Sequence, residues 1–316
     1  MRTVIDYSLC DGGEIILRPQ GLCNLSEVVV RSTDSLEDIA RKIRIAAIIG
    51  TFQSTLTNFR YVSADWKRNA EEERLLGVSL TGIQDNKRLG LNSLPSNLKD
   101  DLLFLRQEAI ESNKEWAEKL GIPQSAAITT VKPSGTVSQL VDSASGIHPR
   151  FAPYYVRNVR NSVDDPISDF LISSNVPHEI DKTNHKTYVF SFPMMAPENA
   201  VYTKDVSARG QLMHYLTFKK FWCEHNPSIT IYVKEHEWME IGALVYEHFD
   251  DIGGVSFLPY SDHVYQQAPY IEITKEKYEE LQSTFPSINW DNFYEDEDNV
   301  TSTKELACTA NACEWV

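Results

Sequence analysis

Short apolar runs and amphipathic stretches alternate along this chain. Glu14 to Leu17 and Leu25 to Val30 are apolar, partly β-branched runs of strand length. Asp34 and Glu37 stand three apart as a capping box, and Ile39, Ile43, Ala46 and Ala47 recur at helical spacing behind them, which predicts a helix to about Gly50. A second helix is expected over Asn69 to Leu76, then a strand or buried turn over Gly77 to Ile83. Asn97 to Leu120 reads as a long amphipathic helix stopped by Gly121 and Pro123. Ala126 to Val131 reads as a buried strand that ends before Pro133, with a turn and short helix from Ser134 to Val141. Further on, strands are expected at Tyr188 to Phe192, Ser228 to Val233 and Gly254 to Leu258, and helices at Leu212 to Glu224, Glu235 to His248 and Lys275 to Gln282.

Alternating strands and helices predict an α/β class. Periodicity fades near Asn289, and the acidic run Glu295, Asp296, Glu297, Asp298 reads as a solvated linker to a flexible tail ending in ELACTANACEWV.

Composition narrows the function classes. The chain has 316 residues, 42% apolar and 24% charged, enough for a sizeable core. No run approaches the roughly 20 apolar residues of a membrane span, and the start MRTVIDYSLC lacks the apolar stretch of a secretory signal; a cytoplasmic protein is expected. A net charge of −15 without a Lys/Arg cluster argues against a nucleic-acid partner. It leaves free nucleotides open, because backbone donors alone can hold a phosphate. The five cysteines, Cys10, Cys23, Cys223, Cys308 and Cys313, are an odd number, which speaks for reduced thiols over a disulfide framework.

Three segments carry candidate chemistry. Cys308 and Cys313, in C-x-x-x-x-C spacing on a mobile tail, suit thiol–disulfide exchange; half a metal site or unpaired surface thiols are the alternatives. VKPSGTVSQL, residues 131 to 140, places Ser134, Gly135 and Thr136 where a strand gives way to a helix. That is an anion site or an ordinary N-cap. GEIILRPQGLCNLSEVVVR, residues 13 to 31, sets Glu14 just ahead of a buried-looking strand that carries Cys23, a thiol whose usual reading beside apolar residues is inert core. The histidines form no metal constellation, His148 reads as structural, and Cys223 reads as a structural thiol.

Taken together and in order, these segments resemble adenosylcobalamin-dependent (class II) ribonucleotide reductases of the ribonucleoside-triphosphate type. GEIILRPQGLCNLSEVVVR is similar to the stretch from the finger loop into the second half-barrel. LLGVSLTG, TVKPSGTVSQL with GIHPRFAPYYVRNVR, NPSITIYV and VSFLPYSDHVYQQAPY resemble later blocks, and the closing cysteine pair resembles a shuttle tail. The resemblance runs from Gly13 to Val316. It implies the second half of a ten-stranded α/β barrel over 13–290 and a flexible redox tail over 291–316. It also implies adenosylcobalamin as cofactor, a ribonucleotide substrate, an amino-terminal half of the reductase as partner, and an external, thioredoxin-like dithiol reductant. In such enzymes a thiyl radical takes the ribose 3′ hydrogen. The resemblance gives Glu14 the role of base at the 3′ hydroxyl, Cys23 one place in the reducing thiol pair, Ser134, Gly135 and Thr136 the substrate phosphate, and Cys308 and Cys313 the re-reduction of the active site.

One departure matters. The family pattern N-P-C-x-E falls here on Cys10, Asp11, Gly12, Gly13 and Glu14, so glycine occupies the radical cysteine's place. Cys10 lies two residues early, about 6 to 7 Å along an extended chain, where a displacement of about 1 Å can already cost about 100-fold. Residues 1–12 are therefore expected to be a leader outside the family pattern, and the chain is expected to be inactive alone. A non-catalytic nucleotide-binding fragment and a small thiol–disulfide protein are the competing expectations.

Overall fold

The structure is a computed structural model. It describes residues 13–93, 95–260 and 266–294, apart from the side chains of Pro95, Ser96 and Thr136, together with the backbone of 8–9, 307–309 and 312–314. In chain order the elements are β1 (Ser8–Leu9), β2 (Ile16–Leu17), β3 (Asn24–Val29), α1 (Leu36–Gln53), α2 (Ala64–Glu73), β4 (Leu76–Thr81), α3 (Pro95–Leu120), β5 (Thr129–Thr130) and α4 (Gly135–Leu140). They continue with β6 (Tyr154–Ser162), α5 (Pro166–Ser173), β7 (His178–Ile180), β8 (Thr187–Met195), α6 (Ala208–Phe221), β9 (Ile229–Val233), α7 (Trp238–Glu247) and β10 (Val255–Pro259). The last are β11 (Tyr270–Glu272), α8 (Lys275–Thr284), β12 (Ala307–Thr309) and β13 (Ala312–Glu314).

The α/β expectation holds, and the chain divides into two compact units. The first unit, 1–150 with 198–260, is built on parallel strands. β3 pairs with β4 from Asn24↔Leu76 to Val29↔Thr81, β4 pairs with β5, and β9 pairs with β10 from Ile229↔Val255 to Pro259↔Val233. A parallel bridge, Val131↔Pro227, and the Ser228 N–H bonded to the Val131 carbonyl at 2.9 Å link the β5 side to the β9 side. Five parallel strands thus follow one another in space in their chain order. The ladder is open: among the described residues β3 pairs only with β4, and β10 only with β9.

Alternation gives this sheet two unlike faces. One carries Val28, Leu76, Val78, Leu80, Val131, Ile229, Ile231 and Val233 into a single core with Ile39, Ile43 and Ala47 of α1, Leu102, Leu105 and Ala109 of α3, and Leu212, Tyr215 and Phe218 of α6. The other carries Glu27, Ser79 and Thr130 in one cross-strand row, Lys132 two residues past Thr130, and Ser228 and Thr230 beyond. Parallel strands buried on both faces are usually apolar throughout. Leu25, Gly77 and Val29 also lie on the second face, but its row of Glu27, Ser79 and Thr130 sets it apart from a surface built for packing alone.

The second unit, 151–197 with 261–316, holds an antiparallel sheet in the order β11–β6–β8–β7. Leu171, Val176 and Phe190 form its small core. Half-buried Arg160 bonds the buried Asp181 at 2.6 Å.

Several boundaries differ from the sequence expectation. The capping box is Ser35 with Asp38, one residue beyond the Asp34/Glu37 pair; Asp34 instead accepts the Arg31 N–H at 2.7 Å. The second helix runs from Ala64 to Glu73, ended by Arg74 at φ 46°, so Leu76 belongs to the sheet. Of the strand expected over Ala126 to Val131 only Thr129 and Thr130 are regular strand, while the Ala127 and Ile128 carbonyls accept from Leu76 and Val78 of the β4 side at 3.0 and 2.8 Å. The strand β6 was not expected, because YYVRNVRNS interleaves Arg and Asn with its apolar residues.

Candidate functional site

The polar face of the parallel sheet gathers three of the expected segments. Glu14, just ahead of β2, is fully buried. The Lys132 ammonium bonds its Oε1, while Oε2 has no hydrogen-bond partner among the described residues. A buried carboxylate is tolerated only with such a counter-charge. Lys132 is fixed in turn by its own N–H, which donates to the Ser79 hydroxyl at 2.8 Å.

Cys23 reaches the same face over Gly77. A Cβ at Gly77 would stand 3.1 Å from Cys23 Sγ, 2.4 Å from Leu25 Cδ2 and 3.5 Å from Ile15 Cδ1. Gly77 is therefore the low point of β4 over which the thiol and the residue after Glu14 both pack. Cys23 is half-buried.

Ser134 closes the row. Its hydroxyl donates to the Glu27 carboxylate, and its N–H donates to the Ser145 hydroxyl at 3.0 Å. The sequence reading offered an N-cap or an anion site; the side chain makes no capping bond to α4. Gly135 has open space where a Cβ would stand, and the side chain of Thr136 lies outside the described residues. Glu14, Cys23 and the Ser134–Gly135 turn thus share one polar sheet face.

Other expected residues fall elsewhere. Cys10 and Gly12 lie outside the described residues. Cys308 on β12 is the register partner of Cys313 on β13; of these two, only the backbone is described. Cys223 is buried in the core, and burial pushes its thiol far up, so it is the structural thiol expected. His148 is likewise structural: burial lowers its pKa, Nδ1 faces the Ser145 carbonyl at 3.0 Å, and Nε2 accepts the Thr230 N–H at 3.0 Å. No group of three metal-ligating side chains occurs among the described residues, and none of their helices is long and apolar enough to cross a membrane.

Lys132, Glu27 and Ser79 were not singled out from sequence. A charge inside an otherwise apolar strand, as in LSEVVV, was the available signal for Glu27. Polar residues at i and i+2, Thr130 and Lys132, were the signal for the other edge.

Fold comparison gives the fold alone. A crystal structure of a B12-dependent (class II) ribonucleotide reductase superposes with a TM-score of 0.77 at 22% identity, covering 87% of this chain and 42% of that one. No family model matches the chain. Sequence comparison goes further. The adenosylcobalamin-dependent ribonucleoside-triphosphate reductase of Euglena gracilis is 31% identical over 272 residues, 84% of this chain and 36% of the relative. Those of Lactobacillus leichmannii and Lactobacillus gasseri are 28% and 26% identical, over 84% and 95% of this chain and 39% and 44% of the relatives. The chain is homologous to a part of these reductases and spans less than half of their length.

Proposed function

We propose that the chain forms one half of the catalytic barrel of an adenosylcobalamin-dependent ribonucleotide reductase, acting on ribonucleoside triphosphates once the other half is present. The observation that carries this reading is the buried Glu14, with one oxygen on Lys132 and the other unpartnered among the described residues, on the polar face that also presents Cys23 and Ser134. A carboxylate so placed can accept a hydroxyl proton. In this reading Glu14 takes the 3′ hydroxyl proton of the ribose, and Cys23 is one of two thiols that reduce the substrate. Ser134, Gly135 and Thr136 meet its phosphates, with Ser134 turning from Glu27 to do so. Cys308 and Cys313, at facing positions of their hairpin, accept the active-site disulfide and pass it to an external, thioredoxin-like dithiol.

The open five-stranded ladder supports a second half that completes a ten-stranded barrel over 13–290, since unpaired outer strands invite partner strands. Met239 and Tyr246 stand exposed on α7, the helix that leads to the outer strand β10, as a surface awaiting cover would show. That half would come from the rest of a longer polypeptide or from a separate chain in the cytoplasm. It would also have to supply the radical cysteine, whose place here is Gly12, residues 1–12 lying outside the family pattern.

Adenosylcobalamin enters through the names of the relatives, and its chemistry would be to generate the radical. The thiol needed to receive that radical is not found among the described side chains: Cys23 belongs to the reducing face and Cys223 is core. The residues described therefore do not include the thiol to which that radical would pass. The same glycine favours a second reading, a nucleotide-binding fragment without catalysis.

Deoxynucleotide formation decides between them. The chain with adenosylcobalamin, a nucleoside triphosphate and dithiol should give no turnover. Adding an amino-terminal half that carries the radical cysteine should restore it, and Glu14→Gln should abolish it again. Continued silence after reconstitution would favour the binding fragment, and turnover by the chain alone would refute the partner requirement.

A further inference from the structure

The main-chain setting of Glu14 is controlled from a distant segment. The Asn226 N–H donates to the Glu14 carbonyl at 2.9 Å, and Asn226 Nδ2 donates to the Gly13 carbonyl at 3.1 Å. These carbonyls belong to the two peptide groups that flank the Glu14 Cα. One residue therefore holds both planes whose rotation would swing the Glu14 side chain. The preceding Gly13 sits at φ 76°, a region open to glycine at little cost.

Asn226 is itself locked. It is 1% exposed, and its Oδ1 accepts from the Tyr215 hydroxyl at 3.0 Å, which fixes which way the amide faces. Nδ2 also reaches the Pro227 carbonyl at 2.8 Å. Tyr215, fully buried on α6, accepts the Gly253 N–H at 3.0 Å. A Cβ on Gly253 would stand 2.3 Å from Asn226 Oδ1, so only glycine lets this loop close over the amide.

We infer that Asn226, oriented by Tyr215 and Gly253, is a positioning residue that aims the Glu14 carboxylate at Lys132 and the polar face. Its catalytic meaning rests on Glu14 being the base, but the clamp itself is tested without turnover. In the full chain labelled with carbon-13 at glutamate carboxyls, the Glu14 resonance is assigned by its loss in Glu14→Gln. The acylation rate of Lys132, measured against the other lysines, reports on the partner. Asn226→Leu should shift the Glu14 resonance and speed Lys132 acylation by about fivefold, the factor that one ordinary hydrogen bond represents. Tyr215→Phe removes a single hydroxyl and should act in the same direction with a smaller effect, which keeps the test available should Asn226→Leu not fold. A folded variant with lowered melting temperature but an unmoved resonance and an unchanged Lys132 rate would reduce Asn226 to a structural role and overturn the inference. Retained turnover of Glu14→Gln in the reconstituted enzyme would instead sink the base assignment and leave the clamp standing.

Discussion

Lys132 donates to a fully buried Glu14 although its own side chain is 38% exposed. The pair joins the strand that follows α3 to the segment that precedes β2, and it places a carboxylate where no neighbouring solvent can compensate it. Four predictions follow from this and nearby relationships.

Removing the ammonium leaves an uncompensated buried charge. Lys132→Met should destabilise the chain by about 2 to 3 kcal/mol, below the roughly 3 to 5 kcal/mol of a pair buried on both sides, because lysine's end is partly solvated. Adding Glu14→Gln should recover part of the loss. Urea midpoints of the two single variants and the double variant measure the coupling, and purely additive losses would show that the pair does not matter.

Gly77 leaves no room for a side chain under Cys23 and Leu25. Gly77→Ala should cost about 1 to 3 kcal/mol, as overpacking does. A thermal melt unchanged from the parent would mean that the thiol does not rest there.

The described thiols should separate by reactivity. Cys223 is buried and its thiol is pushed up, whereas Cys23 is half-buried. Iodoacetamide, which attacks the thiolate, should label Cys23 in the native chain well before Cys223. Peptide mapping over time gives the order, and the reverse order would contradict the packing.

His214, on α6, is buried against Phe218, and burial lowers its pKa to about 3. The unfolded chain takes up this proton first, near pH 6.5. Its share of stability is therefore full above about pH 6.5 and declines as pH falls from there toward about 3. In His214→Leu the fall in urea midpoint between pH 7 and 5 should be shallower than in the parent, with buried His148 keeping its own contribution. Equal slopes would place His214 in contact with water.

Local pattern was enough for α1, α3, α6, α7, α8 and the parallel strands, because each has an apolar face whose spacing is set by 1.5 or 3.3 Å per residue and survives in any context. It failed at β6, whose arginines and asparagines are paired only after folding: Asn158 Nδ2 with the Ala268 carbonyl at 2.7 Å, and Arg160 with Asp181. It shifted the second helix because Leu75 and Leu76 continue an apolar pattern that the left-handed Arg74 interrupts.

By itself the sequence determined the α/β class, most of the helices and parallel strands, and the resemblance to class II reductases, all of which are written in residue type and spacing. Only the tertiary structure decided which polar groups meet. Glu14 and Lys132 are 118 positions apart, Ser134 and Glu27 are 107, and Asn226 and Gly13 are 213. Contacts over such distances depend on the register of parallel strands joined by long crossovers, where a slip of one residue turns every side chain to the opposite face, and nothing local in the chain specifies that register.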